Sequence, residues 1–168
     1  EAADPPDQPE EDFGWAFTVS AALPPDNILL NELDSDTPGS DTAEFIELTD
    51  GGLGGVDLSG LTLVLFNGGD DRAYRAVDLD GVRTSAAGLA VIGSALIPGA
   101  AVTLPPGALQ NGADAAALYQ GDAADFPPGT ALTDRGLVDA IVYGTADAAD
   151  SELLALLSFL WPVHNLQE

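Results

Sequence analysis

Ile28-Leu29-Leu30-Asn31-Glu32-Leu33-Asp34 (residues 28–34) is the first of four short blocks that decide the fold of this chain. The others follow in order as Ala43-Glu44-Phe45-Ile46-Glu47-Leu48, Val56-Asp57-Leu58-Ser59-Gly60-Leu61-Thr62-Leu63 and Leu137-Val138-Asp139-Ala140-Ile141-Val142-Tyr143-Gly144. From the first block onward, short apolar runs alternate with turn signals, a pattern typical of β-strands. The pattern predicts strands near residues 27–33, 44–49, 57–66, 73–79, 88–93, 115–119 and 137–143.

The segments between these predicted strands are rich in glycine and proline. Clear examples are Thr37-Pro38-Gly39, Asn67-Gly68-Gly69-Asp70, Pro105-Pro106-Gly107 and Pro127-Pro128-Gly129. Such combinations mark turns, because glycine supplies positive φ angles and proline cannot continue a central strand. Seven short strands separated in this way predict an all-β sandwich.

The residues of the four blocks and the order of the blocks resemble the lamin tail domain, in the form found in secreted bacterial and other prokaryotic proteins. The resemblance implies an immunoglobulin-like β-sandwich that acts as a module. It implies no reaction, because function lies in sites carried by a fold. We assign residues 27–146 to this sandwich, residues 1–26 to an acidic leader with an extra N-terminal strand, and residues 147–168 to a short apolar C-terminal helix and tail.

The charge balance of the chain is strongly acidic. Its 168 residues include 28 Asp and Glu, four Arg and no Lys, for a formal net charge of -24. Such a surface repels polyanions and lacks the basic stripe that nucleic-acid binding requires, so we expect no nucleic-acid partner. The surplus of Asp, with abundant Ala and Gly, is a balance we associate with halophilic organisms, where salt screens self-repulsion.

Cysteine and methionine are both absent from the sequence. Disulfides and thiol chemistry therefore play no part. A chain without an initiator Met is expected to begin at a processed end, and removal of a secretory signal is the simplest cause. No apolar run approaches the roughly 20 residues that span a bilayer. We expect a secreted, extracellular or cell-surface protein without a transmembrane segment.

Two apolar arms flank the predicted sandwich. The first is a strand in which large and small side chains alternate, with Phe13, Trp15, Phe17 and Val19 on one face. The second is a helix near residues 151–160, apolar nearly all round and ended by Pro162. We assign partner binding to the four large residues of the first arm and to Leu157 and Trp161 of the second.

The N-terminal strand needs a sheet edge to pair with, because an open apolar strand invites aggregation. One alternative is that it forms an extra edge strand of its own sandwich. The other is that it completes the sheet of a neighbouring molecule by β-augmentation. The sequence leaves both alternatives open.

The sequence gives little support for a catalytic function. The single His, His164, lies beyond Pro162, and neither Cys nor Lys is present to replace it as a base. We interpret His164 as an exposed tail residue. With 28 acidic residues, carboxylate pairs arise by chance, so their abundance does not indicate glycoside hydrolysis. We expect a protein that is not an enzyme.

The acidic loops are the candidate metal sites. Residues 34–41 begin like an EF-hand loop, but Pro38 and Phe45 stand where that loop needs oxygen ligands. A looser calcium cage remains open, as does a plain solvated acidic loop, and no other cofactor is expected. The two candidate cages are Asp34, Asp36, Asp41 and Glu44, and Asn67, Asp70 and Asp71.

The glycine-rich stretch Gly51-Gly52-Leu53-Gly54-Gly55 has no basic residue and no helix after it. A phosphate cradle needs such partners. We therefore interpret it as a flexible interstrand loop.

One hypothesis joins these observations. The chain is a secreted, non-catalytic structural or adhesion module that associates with itself or with another extracellular protein, assembling into a filament by N-terminal strand donation. The alternative is an accessory binding domain of a secreted nuclease or phosphatase.

The net charge leads to a first prediction. Repulsion among the acidic side chains is unscreened at low ionic strength, so the melting temperature should rise as NaCl is added. Thermal melts followed by circular dichroism between low and molar salt would measure this. An unchanged midpoint would mean that the charges are too dispersed to affect stability.

Overall fold

The computed structural model describes residues 27–37, 39–144, 153, 155 and 164–166. Within these residues the chain forms nine β-strands and one short 3-10 helix at Ala123–Asp125. The strands are β1 Leu29–Asp34, β2 Phe45–Thr49, β3 Leu61–Asn67, β4 Arg72–Asp78, β5 Leu89–Ser94, β6 Val102–Leu104, β7 Asp114–Gln120, β8 Leu137–Tyr143 and β9 His164–Leu166.

The strands form two sheets. One has the order β1-β2-β5-β6 and the other β4-β3-β7-β8-β9. Pairing is antiparallel except for β5 with β6 and β8 with β9, which are parallel. The predicted all-β architecture is confirmed.

The inner faces of the two sheets enclose one apolar core. Leu30, Ile46 and Leu48 come from the first sheet, and Leu63 and Leu118 from the second. These positions alternate with half-exposed residues along β2, as expected for a strand with one face on the core and one in water.

The central pair of the second sheet, β3 and β7, is buried on both faces. Leu61 to Phe66 is a continuous run of six buried residues, and Asp114 to Tyr119 is another. Such runs are typical of strands covered on both sides. A second apolar cluster covers the outer face, where Phe126 packs against Tyr119 with ring centroids 4.7 Å apart. Leu153, which is helical, is fully buried in the same cluster.

A cross-sheet hydrogen bond closes one side of the sandwich. The register of β1 against β2 shifts between Leu30 and Glu32, which is a β-bulge. The Leu30 N–H donates instead to Asp139 Oδ2 of β8, at 2.8 Å. The first and last of the four sequence blocks are thereby joined.

The seven strands predicted from the sequence are confirmed within a few residues, except that β3 begins at Leu61 rather than near residue 57. Leu58 to Gly60 form a tight turn instead, in which the Leu61 N–H donates to the Leu58 carbonyl at 3.0 Å. The sequence missed β6 and β9. His164 begins β9 rather than lying in a tail, because the outer edge of β8 offers backbone partners there. The predicted N-terminal strand and all but Leu153 and Ala155 of the predicted helix lie outside the described residues.

The glycine-rich stretch after β2 is wrapped around a buried carboxylate, which corrects its interpretation as a flexible loop. Asp50 is fully buried. Its Oδ1 accepts the N–H groups of Gly52 at 2.9 Å and Leu53 at 2.8 Å, and its Oδ2 accepts Gly54 N–H at 2.9 Å and Thr84 Oγ1 at 2.6 Å. Gly88 is required beside it, since a Cβ there would lie 2.2 Å from Oδ1.

These hydrogen bonds set the pKa of Asp50. Burial alone would raise the pKa, but the Thr84 hydroxyl and the three backbone N–H groups outweigh it, so the pKa lies below its ordinary value of 3.8. A carboxyl with a lowered folded pKa stabilises the fold above its unfolded pKa, and this contribution is lost as pH falls through the folded value.

We therefore predict that Asp50→Asn lowers the melting temperature at pH 7 by on the order of 10 °C. Both oxygens of Asp50 accept backbone N–H groups, whereas Asn has one oxygen and one NH₂ group. The NH₂ group of Asn would therefore face a backbone N–H group that loses its acceptor. The difference from the wild type should shrink as pH falls through the folded pKa of Asp50, because protonation removes the charge that the loop stabilises. Asp36→Asn, at an exposed carboxylate, is the matched control. Equal melting of the two variants at pH 7 would contradict the role of Asp50.

Candidate functional site

One end of the sandwich gathers the polar groups of interest. Asn67 ends β3 and pairs with Asp114 at the start of β7, and Asp114 pairs with Tyr143 at the end of β8. The loop 105–113 joins this end to the first sheet, since Ala108 N–H donates to Glu44 Oε2 at 3.0 Å. We call Glu44, Tyr74, Asp114 and Tyr143 the buried polar cluster.

Glu44 is the fully buried carboxyl of this cluster. Its Oε2 accepts the Ala108 N–H, whereas its Oε1 has no hydrogen-bond partner among the described residues. Burial raises the pKa of Glu44 above 4.5, and nearby Asp41 adds to the rise. The backbone N–H groups of residues 107–109 act in the opposite direction and do not offset it.

The two tyrosines of the cluster stay protonated. Burial raises the pKa of Tyr143 far above 10, and the neighbouring Tyr74 and the carboxyls of Asp114 and Glu44 raise it further. Burial also raises the pKa of Tyr74, whose hydroxyl oxygen accepts the Gln110 N–H at 3.3 Å. Asp114 Oδ1 accepts the Gly68 N–H at 2.9 Å. The cluster thus combines two buried carboxyls with two phenol donors.

The residues of the first candidate calcium cage have different structural roles. Asp34 pairs within the β1–β2 ladder, and Asp36 is exposed. Asp41 accepts Thr37 N–H at 3.3 Å and Asn111 Nδ2 at 2.9 Å, close enough to Glu44 to affect its pKa. Among the described residues, no three His, Asp or Glu side chains are grouped so that they could hold a metal ion. Calcium binding stays a prediction.

The second candidate cage shapes a turn. Asn67 Oδ1 accepts Gly69 N–H at 2.7 Å, and Asp70 Oδ1 accepts Arg72 N–H at 3.2 Å. Asn67 Nδ2 donates to Gln110 Oε1 at 2.6 Å, which ties the turn to the loop 105–113. These side chains serve the β3–β4 connection.

Sequence reasoning missed Tyr74, Asp114 and Tyr143 as members of one site. They lie on three different strands, and only the fold brings them together. Asp114 carried one usable signal, an acidic residue at the start of an apolar run. The residues assigned to partner binding (Phe13, Trp15, Phe17, Val19, Leu157 and Trp161) lie outside the described residues.

The chain has no match among protein-family models, curated proteins or solved structures. Within the described part of the chain, no helix has the length and apolar character needed to cross a membrane.

The raised pKa of Glu44 gives a prediction with a defined sign. A carboxyl whose folded pKa exceeds its unfolded value of 4.5 destabilises the fold progressively as pH rises through the folded pKa. Glu44→Gln keeps an acceptor for Ala108 and removes the buried charge. It should therefore raise the melting temperature by a few degrees at pH 7 and change it little at pH 4.

The control for this experiment is Glu32→Gln, at an exposed carboxylate on β1. It should melt like the wild type at both pH values. A melting temperature of Glu44→Gln below the wild type at pH 7 would contradict the argument. A rise with calcium that magnesium does not reproduce, and that Glu44→Gln abolishes, would place a calcium ion at Glu44.

Proposed function

We propose that this chain is a secreted, non-catalytic structural or adhesion module of the immunoglobulin-like, lamin-tail-like class. It assembles with copies of itself by donating its N-terminal strand to the sheet of a neighbour. The four blocks behind the resemblance support the class, since they form β1, β2, the turn into β3, and β8. The burial of Glu44 and Asp114 supports a non-catalytic role, because a substrate would have to reach them through the packed end of the sandwich.

The observation that carries the proposal is the edge of β4. This strand ends the five-stranded sheet, and among the described residues only its first part has a neighbour on the outer side. Ala73 N–H donates to the Thr130 carbonyl and the Ala73 carbonyl accepts Gly129 N–H, both at 2.8 Å. From Tyr74 to Asp78, no strand of the described residues lies on the outer side. Such an edge is a template for an added strand.

Apolar surface lies beside this open edge. Val77 of β4 and Val82 after it pack against the inner core but remain half-exposed. A strand added next to β4 would extend this core, with Phe13, Trp15 and Phe17 on the inner face. Burial of each large apolar side chain contributes roughly 1.5–3 kcal/mol.

The charges of the two surfaces are complementary. Residues 1–12 carry six acidic side chains and no basic one, whereas Arg72 and Arg75 lie on β4. Arg75 is half-buried, and its Nε has no hydrogen-bond partner among the described residues. A donor strand that places the acidic leader beside these arginines would give Arg75 a partner.

The first sheet offers poorer edges. β1 has a bulge and gives its Leu30 N–H to Asp139, and β6 has only three residues before Pro105-Pro106. Bulges and short strands are common protection against edge pairing. Donation to β4 would join different surfaces of two molecules, and such a heterologous contact propagates into a filament or a ring.

Deletion of residues 1–23 should leave a folded monomer, while the full chain should sediment as higher assemblies at high salt. A synthetic peptide covering residues 12–23 should bind the truncated protein, and Trp15→Asp in the peptide should abolish binding. Arg75→Glu in the acceptor should weaken binding by about tenfold or more. Arg135→Glu, with the same charge change away from β4, is the matched control.

Two results would contradict the proposal. One is unfolding of the truncated protein, which would show that the strand completes its own sandwich. The other is a full-length chain that sediments as a monomer at every concentration and salt tested.

A further inference from the structure

A cleft of about 580 Å³ opens beside the short helix on the outer face of the second sheet. It lies where β7 ends and β8 begins, which is the end of these strands opposite Asp114 and Tyr143. Its volume lies within the range of small-molecule sites, about 300–1,000 Å³. The lining residues are Gln120, Asp125, Phe126, Thr130, Thr133, Arg135 and Gly136.

The walls of the cleft are fixed by hydrogen bonds within the protein. Tyr119 Oη donates to the Thr133 carbonyl at 2.6 Å, and Gln120 N–H donates to the Gly136 carbonyl at 2.8 Å. Gly136 has φ +79°, and a Cβ there would lie 2.9 Å from the Gln120 carbonyl, so this close approach requires glycine. Walls held in this way need little ordering when a ligand binds.

The short helix forms the opposite wall and is equally fixed. Asp122 and Asp125 form a capping box, in which Asp122 Oδ1 accepts Ala124 N–H at 2.7 Å and Asp125 Oδ2 accepts Asp122 N–H at 3.2 Å. Phe126 packs against Tyr119 and is 6% exposed, so it presents a small apolar surface to the cleft. The cleft therefore has a small apolar floor between polar walls.

The cleft has donors that the protein does not use. The Arg135 side chain is exposed and has no hydrogen bond or ion pair with the described residues. Gln120 also has an exposed side chain, which offers one amide donor and one acceptor. Thr133 Oγ1 accepts the Arg135 N–H at 3.1 Å, which leaves its hydroxyl proton available. These groups point to a ligand with many hydrogen-bonding positions.

The charge of the cleft selects against ionic ligands. Among the described residues that line the cleft, Asp125 and Arg135 are the charged ones, and their charges cancel. The rest of the chain carries a large negative charge, which repels anions. A free cation would meet a single carboxylate among these lining residues, together with the positive charge of Arg135 in the same cleft. The chemistry that matches is an uncharged molecule rich in hydroxyl groups.

We propose that this cleft binds a short neutral carbohydrate of one or two sugar units. The planar groups of Gln120 and Arg135 and the carboxylate of Asp125 donate to and accept from its hydroxyls, and Phe126 contacts its C–H surface. The site does not depend on strand donation, since none of its lining residues belongs to β4. It would give an extracellular module a means of attaching to glycans.

Titration of the full chain with maltose, cellobiose, mannobiose, lactose and chitobiose would test the site. Amide chemical shifts in ¹⁵N spectra would locate the binding. At least one of these sugars should produce saturable shifts at Gly121, Thr130 and Gly136. Arg135→Ala and Gln120→Ala should each weaken that binding by about tenfold or more, since each removes unshared donors. Arg83→Ala, which changes an exposed arginine outside the cleft, should bind like the wild type.

The proposal is overturned if none of the neutral sugars gives saturable shifts in the cleft at tens of millimolar. Binding that persists unchanged in both cleft variants also overturns it. A response confined to glucuronate or glucosamine would show that the site selects a charge and would overturn the neutral class. Arg135→Ala and Gln120→Ala alter exposed side chains, so their melting temperatures should equal that of the wild type. Arg83→Ala removes a surface ion pair with Asp57 and a hydrogen bond to the Gly55 carbonyl, so it should melt slightly below the wild type and remain folded.

Discussion

The burial of β3 and β7 on both faces is the constraint from which the other features of this sandwich follow. A sandwich of two sheets covers only the inner face, so the apolar outer residues Val64, Phe66 and Tyr119 need a second cover. The segment after β7 supplies it. This segment runs from Gln120 across the outer face to Ala73 at the start of β4, where it ends in backbone hydrogen bonds. The path of this segment accounts for two surfaces. The cleft forms where the segment leaves β7, and beyond Ala73 no strand of the described residues lies on the outer side of β4.

The two fully buried carboxyls show how local hydrogen bonding decides whether a buried charge stabilises the fold. Asp50 and Glu44 both lie at the ends of β2 and both have no exposed surface. Asp50 accepts hydrogen bonds at both oxygens, so its pKa is lowered. Glu44 has an accepting bond at one oxygen only, and its pKa is raised. Two buried carboxyls that flank the same strand can thus have opposite effects on the stability of the fold at neutral pH.

Much of the fold could be predicted from the sequence, because strand patterns and turn residues are local signals. The seven main strands were visible in this way. β6 could not be predicted, because a strand of only three residues is too short to show an alternating pattern. The role of the glycine-rich loop was also hidden: Asp50 precedes it directly, but Thr84 and Gly88 lie more than 30 residues later in the chain. The outer cover depends on single residues such as Phe126, whose contacts no periodicity reveals. The buried polar cluster was missed for the same reason, since its members meet only through strand order.

The scarcity of basic residues gives the four arginines unusual weight in any association between copies. With no Lys available, the common protection of sheet edges by lysine is absent, and β4 carries arginine instead. Arginine differs from lysine in that its planar group forms paired hydrogen bonds with carboxylates, so it can guard an edge in the monomer and bind an acidic segment in an assembly.

Two copies of charge -24 nevertheless repel each other at long range. This repulsion is screened beyond about 8 Å at physiological salt and beyond about 3 Å at 1 M, whereas the backbone hydrogen bonds and apolar contacts of an added strand do not depend on long-range charge. Apolar burial on a donated strand, roughly 1.5–3 kcal/mol for each large side chain, is hardly weakened by salt. If copies associate by the proposed strand donation, rising ionic strength therefore weakens the charge repulsion more than the apolar attraction, and the association should strengthen with salt.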